Sequence, residues 1–471
     1  MNPIVDDARG SGLDKMGGPL GRTAILTFVA LFMMNLLDFL DRNLLMAMQP
    51  QIKADFDLDN ESWGRLTTIF LLSYSIVSPL MGWLGDRYRR TRLIALGVGV
   101  WSVATVASGL AANYNQLALA RSFLGIGEAT YGVIAPTILI DLFSKETRAR
   151  LMSGFYLAMP LGSALGMGLG GWIATTWSWN LAFFIVGAPG LIAAVGALFL
   201  PEPVRGASEG VSAEKLLAHE KHGPSKADYI DLMVNSSYTY AVFGMCAYTF
   251  AIGGMLVWVP PYLFTTRGFD QARAGLLLGL ITLAAAVIGM SVGGWAADRL
   301  WKRFGPRWLF LVPGIAMLGS VPFVLVGLFS KSEPMIFAGI FLAEMLMFVN
   351  TGPCNAIISN VVMPNMRAAA YAVSITAVHF LGDIWSPWLI GYFADLFGDK
   401  EMMASPVGRA LESLGATATQ VGDQAPENIV AGLLIVVPAL VLSGVVLLAG
   451  ARHLPREMAL MQAKLKAAPK A

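Results

Sequence analysis

Apolar stretches long enough to cross a membrane recur along this chain, broken by short polar turns. The first six fall at about 24–47, 63–84, 93–112, 115–140, 151–175 and 180–200. Six more fall at about 238–264, 274–297, 307–329, 335–362, 367–395 and 428–451. A helix of ~20 residues spans the ~30 Å hydrocarbon core of a bilayer, so each stretch predicts one transmembrane helix. The sets are separated by a polar segment, 201–236, in which 213–221 reads as a short amphipathic helix. The expected fold is therefore all-α and integral to the membrane. Its twelve transmembrane helices form two pseudo-symmetric six-helix bundles, 24–200 and 237–452. Residues 1–23 are expected as a cytoplasmic arm, 201–236 as a cytoplasmic linker and 453–471 as a basic cytoplasmic tail.

Composition removes the soluble alternative. Hydrophobic residues fill 56% of the 471 positions and charged residues 14%, against about 25% charged in soluble domains. A mean hydropathy of +0.61 over this length exceeds what one buried core explains, since single cores stop growing at about 250–300 residues. The first apolar run is too long for the core of a cleavable signal, so residues 1–22 should stay as a short mobile arm. Net charge is +2, which points to no nucleic acid or other polyanionic partner.

The placement of charge matters more than its sum. With both termini cytoplasmic, 24 of the 33 Lys and Arg residues fall in cytoplasmic segments and seven on the opposite side. Arg42 and Arg121 remain inside the membrane. This asymmetry is the positive-inside pattern, and it agrees with an even number of helices. The first outer loop carries Asp55, Asp57, Asp59 and Glu61. It lacks the turn Gly and the final bidentate Glu of a calcium loop, so it reads as a solvated acidic loop. Cys246 and Cys354 each sit in an apolar run and read as packing residues. The four histidines show no metal-ligand spacing, so neither metal nor cofactor is expected.

The two halves repeat. Gly82-Trp83-Leu84-Gly85-Asp86-Arg87 closes the second run, and Gly294-Trp295-Ala296-Ala297-Asp298-Arg299 closes the eighth. A second echo, Arg148-Ala149 against Arg367-Ala368, nearly keeps the register. Two parallel repeats of six helices place a site near the bilayer midplane, between the halves.

With these motifs in hand, the sequence resembles the major facilitator superfamily along nearly its whole length. The stretch from Gly82 to Arg92 is similar to that family's signature after the second helix, departing at Arg89, where a Gly is usual. Arg121, Gly125, Gly127 and Glu128 resemble its fourth-helix motif. Pro160-Leu161-Gly162-Ser163-Ala164-Leu165-Gly166, followed by Gly170-Gly171, resembles the Gly-rich fifth-helix motif of exporters, with the Pro displaced. Within the superfamily the chain is most similar to the spinster lipid transporters. That similarity rests on Asp41-Arg42, Gly127-Glu128-Ala129, Ala135-Pro136-Thr137, Asp141-Leu142-Phe143, Arg148 and Phe155-Tyr156. The resemblance implies a secondary transporter of lysolipid-like or sphingosine-phosphate-like amphiphilic anions, coupled to protons and working by alternating access. It would act as a monomer in a bacterial inner membrane. A carrier of small organic anions or drugs is the alternative.

Ionisable groups inside a lipid-embedded bundle are costly and mark function. Asp38 and Arg42 are spaced to pair on one face of the first helix, which leaves Asp41 free to face another. Arg121 and Glu128 lie two turns apart on the fourth, ~10.5 Å along its axis. The family's packing makes these two helices neighbours around the cavity. Asp41 and Glu128 are therefore assigned proton coupling, and Arg42 and Arg121 the counter-charge or the anionic headgroup. A static ion-pair cluster is the bland alternative. By resemblance, Gly82, Asp86, Arg87, Arg90, Asp298 and Arg299 form a gating latch, although basic loops also serve topology.

Asp38, Asn350, Asn355, His379, Asp383, Trp258 and Tyr262 are candidate cavity-lining residues. The Gly352-Pro353 pair should break or bend the tenth helix. His379 and Asp383 are spaced as a titrating pair or as a satisfied polar contact. Trp258 and Tyr262 fit interfacial anchoring equally well. No phosphate-binding loop, serine-hydrolase elbow or zinc-protease motif occurs, which argues against ATP-driven transport and against an enzyme.

Overall fold

The computed structural model describes residues 19–143, 151–152, 154–203, 226–362, 366–420 and 425–467. The proposed amphipathic helix at 213–221 and Arg148 lie outside the described residues, as do the side chains of Asp86 and Arg367. The chain forms two compact units. Unit 1 comprises Met1–Gln51 and Ile69–Gly223, and unit 2 comprises Ile52–Thr68 and Pro224–Ala471.

Helices α1 (Pro19–Ala47), α2 (Gln49–Phe56), α3 (Asn60–Arg87), α4 (Arg90–Gly109), α5 (Tyr114–Leu142), α6 (Ala158–Thr176) and α7 (Trp179–Ala197) come first. A short helix, α8 (Lys226–Val234), leads into α9 (Ser236–Pro261), α10 (Gln271–Phe304), α11 (Trp308–Phe329), α12 (Glu333–Phe348) and α13 (Thr351–Val361). Next come α14 (Arg367–Val378), α15 (Ser386–Leu396), two short helices, α16 (Lys400–Met403) and α17 (Pro406–Ser413), then α18 (Ile429–Leu433), α19 (Val436–Gly450) and α20 (Leu454–Ala467). The only extended pairing among the described residues is one isolated bridge, Thr419 to Glu427.

Several helices start where a polar side chain can accept from an otherwise unpaired N–H. Asn113 accepts from Gln116, Ser178 from Leu181, Asn235 from Tyr238 and Asp270 from Arg273. Large apolar residues such as Ile76, Ile192 and Phe199 point outward, as expected where lipid is the solvent.

Eleven helices among the described residues are long and apolar enough to span a membrane. The expected eleventh run is a span in pieces. After α14 it widens into a π-segment, His379–Asp383, turns at Ile384 and Trp385, and resumes as α15. Pro387 has no N–H to return to residue 383, which frees that carbonyl and permits the wider turn. The tenth run stays helical from Glu333 to Val361, with one tightened turn at Val349 and Asn350, where the Asn350 N–H returns to the Met347 carbonyl. Pro353 has no N–H to return to the Val349 carbonyl, which accounts for the irregular turn ahead of it.

The Gly-rich face of α6 explains how α1 is placed. Gly162, Gly166 and Gly170 recur every four residues and lie against the α1 backbone. A Cβ on Gly162 would sit 2.6 Å from the Leu36 carbonyl oxygen and 2.9 Å from Phe39 Cβ. Gly162→Ala should therefore lower stability by about 1–3 kcal/mol, the usual range for overpacking. The Tm of the detergent-solubilised protein checks this against Gly196→Ala, where nothing lies within 4 Å of an added Cβ; equal shifts would refute close packing.

Candidate functional site

The charged residues of α1 and α5 meet inside unit 1. Arg42 Nε donates to Glu128 Oε2 at 2.5 Å and lies 3.5 Å from Asp38 Oδ1. The Asp38 and Glu128 carboxyls are themselves within hydrogen-bond reach of each other. Asp41 turns to the other side of α1. Its Oδ2 accepts from the Thr105 hydroxyl on α4, and its Oδ1 lies 3.9 Å from Arg121 Nη1. The Asp38–Arg42 pairing and the free face of Asp41 follow from helical spacing.

Burial divides the cluster. Asp38, Asp41, Arg121 and Glu128 are all sealed, whereas the Arg42 side chain keeps 25% of its surface exposed. Phe39, Phe70 and Tyr74 surround the Arg42 guanidinium at 5.0–5.2 Å from their ring centres. Cation–π contact of this kind holds a charge without neutralising it. Several buried polar atoms lack a hydrogen-bond partner: Asp38 Oδ1, Asp41 Oδ1, Glu128 Oε1, Arg121 Nε and Arg121 Nη1. Such atoms are costly unless another state or a ligand satisfies them. Thr105 and the aromatic cage escaped the sequence reading, because a hydroxyl or ring on an apolar helix has no spacing signature.

The expected latch residues separate. Arg90 is 4% exposed and turns into unit 1, with Nη1 2.5 Å from Asp141 Oδ2 and Nε 3.0 Å from Glu202 Oε1. Arg87 and Arg299 are exposed, each with its guanidinium over the Trp four residues earlier, Trp83 and Trp295. The internal repeat therefore extends to side-chain packing. Asp298 is exposed, while Gly82 lies 3.8 Å from Val133 once a Cβ is added.

Glu202 follows the sixth span and closes this inner cluster. Burial opposes its ionised form, but hydrogen bonds from the Thr91 N–H, Arg90 and the Thr91 hydroxyl outweigh that and hold its carboxyl below the usual 4.5. A depressed carboxylate contributes stability that is complete above its unfolded value and lost as pH falls through the folded one. Wild type should therefore lose Tm as pH drops below 4.5, and Glu202→Gln should show less of that loss. Parallel melting curves would refute the linkage.

The other candidates lie in unit 2. His379 Nδ1 is 2.9 Å from Asp383 Oδ2 within the π-segment. Trp258 is fully buried and donates to the Pro387 carbonyl at 2.8 Å. Tyr262 is also fully buried, donates to the Gly327 carbonyl, and lines a small apolar cavity with Met255, Val259, Val324 and Leu433. Neither residue has the exposure of an interfacial anchor. Asn350 is buried with Nδ2 unpaired, and Asn355 donates to the Thr351 carbonyl. Both cysteines are buried and free.

A further cluster in unit 2 gathers around the segment that joins α2 to α3. Lys53, 5% exposed, donates to Glu427 Oε2 at 2.6 Å and to Asn60 Oδ1 at 2.7 Å. Asp395 accepts from the Asn60 and Glu61 backbone N–H groups at 3.1 and 2.7 Å, capping α3. Glu61 also accepts from Trp388 Nε1. Part of the acidic loop is therefore engaged by protein rather than solvated. Its partners lie more than 300 residues away, beyond any local pattern.

The sequence matches the Major Facilitator Superfamily over residues 31–387. It is 30% identical to Protein spinster of Drosophila melanogaster over 423 residues, covering 87% of this chain and 68% of that one. Protein spinster homolog 1 of Bos taurus is 34% identical over 418 residues, with 84% and 77% covered. Sphingosine-1-phosphate transporter SPNS2 of Xenopus tropicalis is 31% identical over 392 residues, with 79% and 74% covered. The crystal structure of a bacterial homolog to human lysosomal transporter spinster shares the fold, with a TM-score of 0.78 at 22% identity over 92% of this chain and 98% of that one. A D-xylose-proton symporter shares it at a TM-score of 0.63 and 17% identity, over 88% and 97%. The chain belongs to the Major Facilitator Superfamily and is a membrane transporter, not an enzyme. Within that superfamily it is a member of the spinster family.

Proposed function

We propose that this protein is a proton-coupled carrier of amphiphilic anions, of the lysolipid or sphingosine-phosphate type, working by alternating access. The observation that carries the reading is the charge count in unit 1. Three carboxyls, Asp38, Asp41 and Glu128, share a buried cluster with two guanidiniums, Arg42 and Arg121. Fully ionised, the cluster holds one negative charge in excess at a depth where an unpaired charge costs several kcal/mol. One bound proton balances it. An anion at a guanidinium adds negative charge to the cluster, so its binding favours proton uptake by a carboxyl and links the two ligands.

Arg42 is the group suited to the headgroup, since it is partly exposed and forked for bidentate contact with phosphate or carboxylate. The sphingosine-1-phosphate transporter among the relatives supports a lipid-like substrate. The 24-to-7 distribution of basic residues supports cytoplasmic termini, in a bacterial inner membrane. Arg87 and Arg299 support the latch reading as exposed charges at matching ends of the repeat.

The test is uptake of lysophospholipids, sphingosine 1-phosphate and small organic acids into liposomes, with and without a pH gradient. Wild type should move an amphiphilic anion faster with the gradient, and Asp41→Asn should lose that acceleration while still binding substrate. Unchanged gradient dependence in Asp41→Asn would overturn the coupling role, and preferential uptake of the small acids would overturn the substrate class.

A further inference from the structure

Unit 2 holds a buried carboxyl that none of the foregoing uses. Glu344, on α12, is 1% exposed. The Thr282 hydroxyl of α10 is within hydrogen-bond reach of its carboxyl, and Oε2 has no hydrogen-bond partner among the described residues. Other sealed carboxylates, Glu128 and Glu427, each sit against a cation; Glu344 has none among the described residues.

The sequence explains why. Helix α12 packs against α9, α10 and α11. Helices α9 and α11 contain no Lys, Arg or His at all. The basic residues of α10 lie at its two ends: Arg273, exposed and paired with Glu333, and Arg299, Lys302 and Arg303 at the other. Glu344 is eleven residues along from Glu333, or ~16 Å along the axis, so no cation on these helices reaches it. The titratable neighbours are neutral ones, Tyr248 on α9, whose hydroxyl bonds to Thr351, and Cys354 beyond it. An ionised carboxylate here would stand alone in a low dielectric, at a cost of several kcal/mol. A protonated carboxyl asks for one donor and one acceptor contact only.

Glu344 also lies five residues before the irregular turn at Val349 and Asn350, where Asn350 Nδ2 is itself buried without a partner. Pro353 leaves the Val349 carbonyl without its helical N–H, a recognised place for a helix to bend, and a bend there is the movement that brings Glu344 to water. We propose that Glu344 is a second proton-binding site, separate from the unit 1 cluster, which takes up a proton when sealed and releases it when α12 moves. The cycle would then carry one proton more than the unit 1 cluster alone supplies. This rests on the proton-coupled reading above.

Two measurements on the full-length protein in liposomes test it. Infrared difference spectra at neutral pH should contain a protonated-carboxyl C=O component that Glu344→Gln removes, Glu344→Asp retains and Asp41→Asn leaves in place. The pH gradient that just balances a fixed gradient of 1-oleoyl lysophosphatidic acid should shift in Glu344→Gln by the loss of one proton per substrate. An unchanged spectrum in Glu344→Gln overturns the site, and a lost component with an unmoved balance point overturns its part in coupling. The infrared arm needs no substrate, so if the lysolipid is not carried by wild type, the substrate reading fails while Glu344 is still decided.

Discussion

Lys53→Met is expected to destabilise the protein by about 3–5 kcal/mol, the range for removing one partner from a buried ion pair. Lys53 and Glu427 each retain 6% side-chain exposure and lie 2.6 Å apart, so the Lys neutralises a carboxylate that water does not reach. Met fills similar volume, which isolates the charge from the packing. The loss exceeds the 0–1 kcal/mol of an exposed pair because the remaining Glu427 keeps the full desolvation penalty. Adding Glu427→Gln should restore part of the stability by removing the stranded charge, while the Gln amide oxygen still accepts from Asn60 Nδ2, 2.8 Å from the carboxylate in the wild type. Chemical denaturation or Tm of single and double variants checks this. A single-variant loss below about 1 kcal/mol would show the pair is effectively solvated.

Glu128→Gln is expected to remove the accumulation driven by the unit 1 proton while leaving exchange of substrate down its own gradient. The variant leaves Asp38 and Asp41 against Arg42 and Arg121, two acids and two bases, which balance with no proton bound. Each coupled proton should multiply the attainable accumulation about tenfold per unit of pH gradient, since one pH unit is worth 1.36 kcal/mol per proton. Glu128→Gln should therefore level about tenfold below wild type under a gradient of one pH unit. Arg42→Met should behave differently, losing affinity for the anion because its guanidinium is the exposed cation of the cluster. Accumulation equal to wild type in Glu128→Gln would move the unit 1 proton to another carboxyl, and Asp38→Asn is the variant that would then reveal it.

How much of this was written in the sequence differs from element to element. The helix starts near 115, 180, 238 and 274 followed from apolar length alone, and the structure adds the caps that fix them, Asn113, Ser178, Asn235 and Asp270. The pieces of the eleventh run were not legible, because its apolar pattern is continuous and only the placement of Pro387 divides it. Asp38, Asp41, Arg42, Arg121 and Glu128 announced themselves as charges amid apolar residues. Thr105, Phe70 and Tyr74 did not, since on a lipid-embedded helix they are ordinary. Lys53 gave no signal for a related reason. Loop lysines are usually solvated, and nothing within ten residues of Lys53 reveals Glu427.

The sequence by itself determined what depends on local pattern and on the solvent. Apolar length set the membrane-spanning helices, the distribution of Lys and Arg set the expected side of each loop, and the repeated Gly-Trp-x-x-Asp-Arg motif set the two related halves. Tertiary structure decided partners. It turned Arg90 inward to Asp141 and Glu202, gave Arg42 to Glu128 across 86 positions, and gave Lys53 to Glu427 across 374. It also left Glu344 without a cation. The physical reason is that helical periodicity fixes which face a residue occupies, whereas the group it meets depends on close approaches such as Gly162 against Leu36, where two distant segments share one contact.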